Sequence, residues 1–124
     1  MSGEGECGPI RSYRDLVVWQ KAMDLVDAIC ALSEHFPSDE RFGLTSQVRR
    51  AAVSVPSNIA EGYGKTRADY VRHLVIANGS LKEIETQVII AGRQKFITRE
   101  DSQSAWHLCQ EVGKILLAMT KSLS

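Results

Sequence analysis

Residues 43–64 read GLTSQVRRAAVSVPSNIAEGYG, and this stretch decides the fold. Its apolar residues recur at intervals of four and three, which is the period of one helix face; they are Leu44, Val48, Ala51 and Val55. Glycines at 62 and 64 are typical of a helix C-terminus. The side chains on the apolar face are small, so the stretch predicts a helix that a neighbouring helix can approach closely.

Pro56 lies inside this predicted helix. It has no N–H to offer the Ala52 carbonyl, and its ring crowds that carbonyl. Because sharp helix bends usually occur at prolines, we expect a kink at Pro56. Ser54 and Asn58 flank the expected bend, and their side chains can hydrogen-bond the backbone groups that it frees.

Three more helices follow from the same periodicity. The first runs from Leu16 to about Ser33 with Asp15 as its N-cap, and the third starts after Thr66 and runs to about Lys95. The fourth starts at the capping pair Thr98 and Asp101. The connections are short, so consecutive helices should be antiparallel. Residues 13–124 thus predict an all-α, up-down-up-down antiparallel four-helix bundle, and residues 1–12 a disordered or loosely attached tail.

The predicted helices have more apolar surface than one bundle core requires. The first helix carries two parallel apolar seams, whereas a bundle helix needs about one. A second seam favours self-association, because monomers rarely expose large apolar patches. We expect a homo-oligomer whose contacts include Val18, Leu25, Ile29 and Trp106, although both seams could instead be internal. Gly79, in the third helix, should lie close to another backbone.

Composition indicates one domain without catalytic chemistry. At 124 residues the chain has the size of one domain, and its three cysteines form no CxxC pair. The chain lacks a Gly-rich phosphate loop, a nucleophile motif and the Glu-x-x-His of di-iron bundles. We therefore expect no enzyme activity, metal, cofactor or small-molecule substrate. The absence of a signal peptide and of a membrane-length apolar run indicates a cytoplasmic protein.

Charge is neutral overall but unevenly distributed. The chain has 15 Lys and Arg against 15 Asp and Glu, whereas residues 41–72 have six against two. A local basic patch can exist on a neutral chain, although a solvated charged face is the commoner explanation. The candidate nucleic-acid-binding residues are Arg49, Arg50, Lys65, Arg67 and Arg72, and Asn58 could belong to the same recognition surface.

Three stretches of the chain resemble one known family. They are GLTSQVRRAAVSVPSNIAEG from residue 43, YRDLVVWQKAMDLV over 13–26 and IANGSLKEIETQV over 76–88. Together they are similar to the four-helix-bundle proteins encoded in intervening sequences of bacterial 23S ribosomal RNA genes. This resemblance implies a four-helix bundle with no established reaction.

A related branch comprises the accessory proteins of diversity-generating retroelements. These are basic pentameric bundles that bind a reverse transcriptase and RNA. The resemblance therefore implies a ring-shaped homo-oligomer, a pentamer, that binds RNA or a ribonucleoprotein. The alternative is a structural or scaffolding oligomer that acts through protein contacts and has no nucleic-acid affinity.

Overall fold

The computed structural model describes residues 9–124. The predicted tail over residues 1–12 lies mostly outside the described residues. Cys7, which belongs to this tail, lies outside them. The described part has four α-helices: α1, Val17–Ser33; α2, Leu44–Gly62; α3, Arg67–Arg93; and α4, Arg99–Leu123. Two short 3-10 turns, Tyr13–Asp15 and Ser38–Glu40, precede α1 and α2.

The helices form the predicted up-down-up-down antiparallel bundle. Each helix packs against two others, so that α1 contacts α2 and α4, and α3 contacts the same two helices. Side-chain bonds show the antiparallel register, since Ser54 on α2 meets Ser80 on α3, and Glu85 on α3 meets Gln110 on α4. No helix within residues 9–124 is both long and apolar enough to cross a membrane.

The predicted cap of the first helix is wrong, because the N-cap residue of α1 is Leu16 and not Asp15. Asp15 does not cap α1; it closes the preceding 3-10 turn, where its carboxylate accepts the Arg11 N–H at 2.9 Å. The Ser12 hydroxyl caps that turn by accepting the Arg14 N–H at 3.2 Å. The reciprocal Ser12–Asp15 arrangement is a capping box. It uses the carboxylate before α1 begins, so α1 starts at Val17 without a side-chain cap.

At the starts of α3 and α4 the predicted capping residues are in place, although only α4 has the full reciprocal capping box. The Thr66 hydroxyl accepts the Asp69 N–H at 3.2 Å at the start of α3. At the start of α4, Thr98 and Asp101 bond each other's backbone N–H groups reciprocally. The bond from the Thr98 N–H, and then that from its hydroxyl, lower the pKa of the Asp101 carboxyl.

The most extensive helix contact joins α2 and α3. Where α2 ends and α3 begins, a Cβ added to Gly62 would lie 2.8 Å from the Cβ of His73 and 3.1 Å from a ring carbon of Tyr70. Glycine is therefore the residue that lets these two backbones approach. Further along the contact, the hydroxyls of Ser54 and Ser80 lie 2.8 Å apart.

Gly79 does not have the role expected of it. It is exposed, and a Cβ there would meet no atom within 4 Å. Its neighbours Ala77 and Ser80 are buried, because they lie on the inward side of α3. The close approach predicted at Gly79 occurs at Gly62 instead.

Pro56 is buried inside α2, as predicted. Asn58 donates from its side-chain amide to the Ser54 carbonyl at 2.9 Å and to the Ser54 hydroxyl at 3.1 Å. Two of the residues expected around a bend thus bond each other there. The bend itself stays a prediction from the chemistry of proline.

Two glycine substitutions separate close packing from helix propensity. Gly62→Ala should destabilise the fold by about 1–3 kcal/mol, because the added methyl forces α2 and α3 apart. Gly79→Ala should stabilise it by about 0.5–1 kcal/mol, since alanine is the better helix former in open space. Urea unfolding followed by circular dichroism measures both. Equal effects of the two changes would contradict the assigned close contact.

Candidate nucleic-acid interface

The helix directions bring several cations to one end of the bundle. The start of α1, the end of α2 and the start of α3 all lie at this end, and the 3-10 turn before α1 contacts α2. We call it the basic end. The exposed cations that we assign to it are Arg11, Arg14, Lys65, Arg67 and Arg72; Lys121, in the last turn of α4, is a further exposed cation at this end.

The nearby carboxylates are largely engaged. Asp15 accepts two backbone N–H groups, and Asp69 lies 3.6 Å from the Arg72 guanidinium. Glu61 lies 4.0 Å from a ring nitrogen of His73 on α3. Within the part of the chain that the structure describes, Arg14 and Lys65 form no ion pair, so their charges remain available to an anion.

All three tyrosines of the chain lie at the basic end. The rings of Tyr63 and Tyr70 form an edge-to-face pair with centroids 6.2 Å apart. Tyr13 packs edge-on against Trp19 at 5.4 Å, and the Arg14 guanidinium lies 5.8 Å from the Tyr13 ring centroid. Burial, and then the neighbouring Tyr63, raise the pKa of Tyr70. Cations and half-buried aromatic rings therefore share one surface.

The structure places the five predicted cationic residues in three different settings, the third of which is that of Arg49. Lys65, Arg67 and Arg72 lie together at the basic end. Arg50 is exposed but lies 12 residues before Gly62 on α2, which is about 18 Å along the helix.

Arg49 needs correction as a candidate for binding RNA. It is half-buried, and its guanidinium donates to the Ser33 hydroxyl at 2.7 Å and to the Cys30 carbonyl at 3.4 Å. These bonds satisfy polar groups in the last turn of α1, where a cation is also favoured by the helix dipole. Arg49 therefore joins α2 to α1.

Sequence reasoning missed Arg11, Arg14 and Tyr13. They lie about 50 residues before Lys65, outside the basic stretch at 41–72. The signal that could have found them was the predicted topology, because an antiparallel bundle brings the start of its first helix beside the end of its second.

Asn58 belongs to a buried polar network between α2 and α3. Because its amide nitrogen donates to Ser54, its oxygen faces His73 Nδ1 at 3.0 Å. Nδ1 of His73 thus carries the hydrogen, and its other nitrogen, Nε2, is buried with no hydrogen-bond partner within residues 9–124. Ser80 and Gln87 follow His73 at intervals of seven residues and are also buried; Ser80 bonds Ser54, whereas Oε1 of Gln87 has no hydrogen-bond partner within residues 9–124. The network fixes how α2 and α3 meet. The Asn58 side chain is used in these bonds between helices and is not presented as part of a recognition surface.

The described residues show no arrangement for catalysis or metal binding. Burial, and then the charge of Glu85, raise the pKa of the Cys109 thiol to about 12, which keeps it protonated near neutral pH. Between residues 9 and 124, no three His, Cys, Asp or Glu side chains are grouped as metal ligands.

Comparison with known proteins agrees with this architecture. The model of the 23S rRNA-intervening sequence protein family matches residues 14–118. The chain belongs to this family. A solved structure of a protein with unknown function from the S23 ribosomal protein family of Bacteroides thetaiotaomicron is similar, with a TM-score of 0.77 and 28% identity. The match covers 85% of this chain and 99% of that one. Among curated proteins, no match is found.

The predicted oligomer contacts of this family member need correction at three residues. Val18 is 2% exposed, and Leu25 and Ile29 are 0% exposed, so all three pack inside their own chain. They belong to the seam of α1 that faces the core. Trp106, in contrast, is 37% exposed and reaches the surface.

The surplus apolar surface lies mainly on α3 and the adjoining side of α4. Ile89 and Trp106 line one groove between these helices. Leu117 is 11 residues after Trp106, so both project from one side of α4. We call this surface the α3–α4 face; its exposed apolar residues are Val75, Ile89, Trp106 and Leu117, whereas the exposed Ile76 and Ile90 project from the side of α3 away from α4.

A charge placed on the α3–α4 face should prevent self-association. Ile89 and Val53 are each 51% exposed, but only Ile89 lies on this face. We expect Ile89→Lys to reduce the mass in solution to that of one chain, because a desolvated lysine opposes apolar contact. Val53→Lys should leave the parent mass unchanged. Size exclusion with light scattering measures both, and a parent protein with the mass of one chain would remove the oligomer.

Proposed function

We propose that this protein is a non-catalytic, oligomeric RNA-binding bundle that acts in the cytoplasm. Its basic end would contact the phosphates of a structured RNA, either free or within a ribonucleoprotein. The observation that carries the proposal is the grouping of exposed cations and tyrosines at one end. Membership of the 23S rRNA-intervening sequence family supports it.

Electrostatics supports a local site. The chain is neutral as a whole, so long-range attraction to RNA should be weak, and binding must come from the cations at the surface itself. Each phosphate that a lysine or arginine neutralises releases counterions, which makes affinity depend steeply on salt. Few contacts per chain imply modest affinity for one copy.

Self-association would raise that affinity. Copies arranged in a ring would present several basic ends, and a second contact to the same RNA becomes intramolecular. The α3–α4 face supports self-association, because its apolar side chains remain exposed in a single chain. Five copies are the number that the resemblance to the retroelement accessory proteins implies.

The alternative function is a structural or scaffolding oligomer that binds proteins. The neutral overall charge favours it, because the chain as a whole does not attract RNA. The α3–α4 face also favours it, because an exposed apolar surface suits contact with a protein. The two functions differ in whether the basic end binds phosphates.

Replacing one cation at the basic end should weaken RNA binding and lower its salt dependence. We expect Lys65→Glu to reduce affinity for an RNA stem-loop and to lower the slope of log K against log salt by about 1. Lys114→Glu makes the same charge change at an exposed site in the middle of α4 and should have little effect on the slope. Fluorescence anisotropy over a range of salt concentrations measures both slopes.

Two results would overturn the proposed function. Absence of stem-loop binding by the parent protein at low salt would favour the scaffold. Equal losses in the Lys65 and Lys114 variants would show that the charge acts through the whole molecule and that the basic end is no binding site.

A further inference from the structure

We infer that the basic end recognises unpaired nucleotides of RNA, whose bases stack on its tyrosine rings, and that base-paired RNA binds it more weakly. This inference rests on the proposed function and names the class of RNA that it would use. It is carried by the arrangement of the aromatic rings.

The tyrosines at the basic end are anchored and partly open. Tyr13, Tyr63 and Tyr70 are each half-buried, so part of each side chain packs against the protein and part reaches solvent. Edge-to-face packing leaves at least one face of Tyr63 and one face of Tyr70 free of the other ring. A free ring face is what a nucleobase requires for stacking.

Cations lie close to these rings. The Arg14 guanidinium lies over the Tyr13 ring, 5.8 Å from its centroid, and so occupies one face of it, whereas Lys65 follows Tyr63 by two residues in the sequence. One nucleotide could then make two contacts, with its base stacked on a ring and its phosphate paired with a nearby cation. In a duplex, the bases are already stacked and paired, so the rings could not reach a base face.

The competing explanation is that the tyrosines only fill space. Tyr70 does pack against the close approach at Gly62, where a Cβ would lie 3.1 Å from its ring. Tyr63 also touches α3 through its edge-to-face pair with Tyr70, but it follows the last residue of α2 and does not border the close approach at Gly62. We therefore assign base stacking first to Tyr63, and the test is built on it.

Affinity for matched single-stranded and duplex RNA tests the inference. The probes are labelled oligouridine of about 12 nucleotides, within the usual size range of single-strand sites, and a duplex of the same length. We expect the parent protein to bind oligouridine at least about 5-fold more tightly than the duplex. Tyr63→Leu should weaken oligouridine binding by about 5- to 150-fold, the range measured for single stacked bases. Tyr63→Phe, which keeps the ring, should retain it.

A measurement on the parent protein avoids the risk that a substitution at Tyr63 weakens binding by unfolding the protein. Ultraviolet cross-linking of oligouridine to the parent protein, followed by peptide mass spectrometry, should mark Tyr13 or Tyr63. Cross-links confined to the opposite end, near Lys95 and Arg99, would overturn the inference.

The failures of the inference and of the proposed function are distinguishable. If duplex and oligouridine bind equally and Tyr63→Leu matches the parent, while Lys65→Glu weakens both, the basic end binds phosphates and the stacking inference is wrong. If neither RNA binds at low salt, the proposed function fails and the inference fails with it.

Discussion

The close contact between α2 and α3 is the interaction on which the rest of the structure depends. Gly62 lets the backbones meet, and the Ser54–Ser80 and Asn58–His73 bonds align the two helices along their length. Buried polar groups are costly when unpaired, so these bonds favour one register over its neighbours. The same contact holds Tyr70 against the end of α2, and thereby positions the surface to which we assign RNA binding.

Sequence reasoning predicted the helices well because their signals are local. The apolar period and the Thr66 and Thr98 caps lie within a few residues, and each helix bound follows within two or three positions. What it could not predict depends on contacts between helices. Both seams of α1 step by three and four, so periodicity alone does not show that Leu25 faces the core while Met23 remains 40% exposed.

The misplaced residues share this cause. Gly79 and Gly62 look equally able to allow a close approach, and only the packing shows that His73 meets Gly62. Arg49 and Arg50 are adjacent in the sequence, but about 100° of helix rotation turns Arg49 toward α1 and leaves Arg50 in solvent. The basic end was only partly predicted, because Arg14 and Lys65 become neighbours through topology.

Two surfaces with different chemistry thus lie on one small bundle: a basic, aromatic end and an apolar side. They adjoin at Arg72 and Val75, three residues apart on α3, whereas Tyr63 and Lys65 precede α3, so self-association through the α3–α4 face would leave these two residues open. The central claim is that tight α2–α3 packing keeps that end ordered. Amide hydrogen exchange tests it directly, with the last turn of α4, Thr120–Leu123, as an internal reference for a fraying helix end. We expect the amides of Ile59–Gly62 to exchange as slowly as those of the core. Exchange there as fast as in Thr120–Leu123 would contradict it.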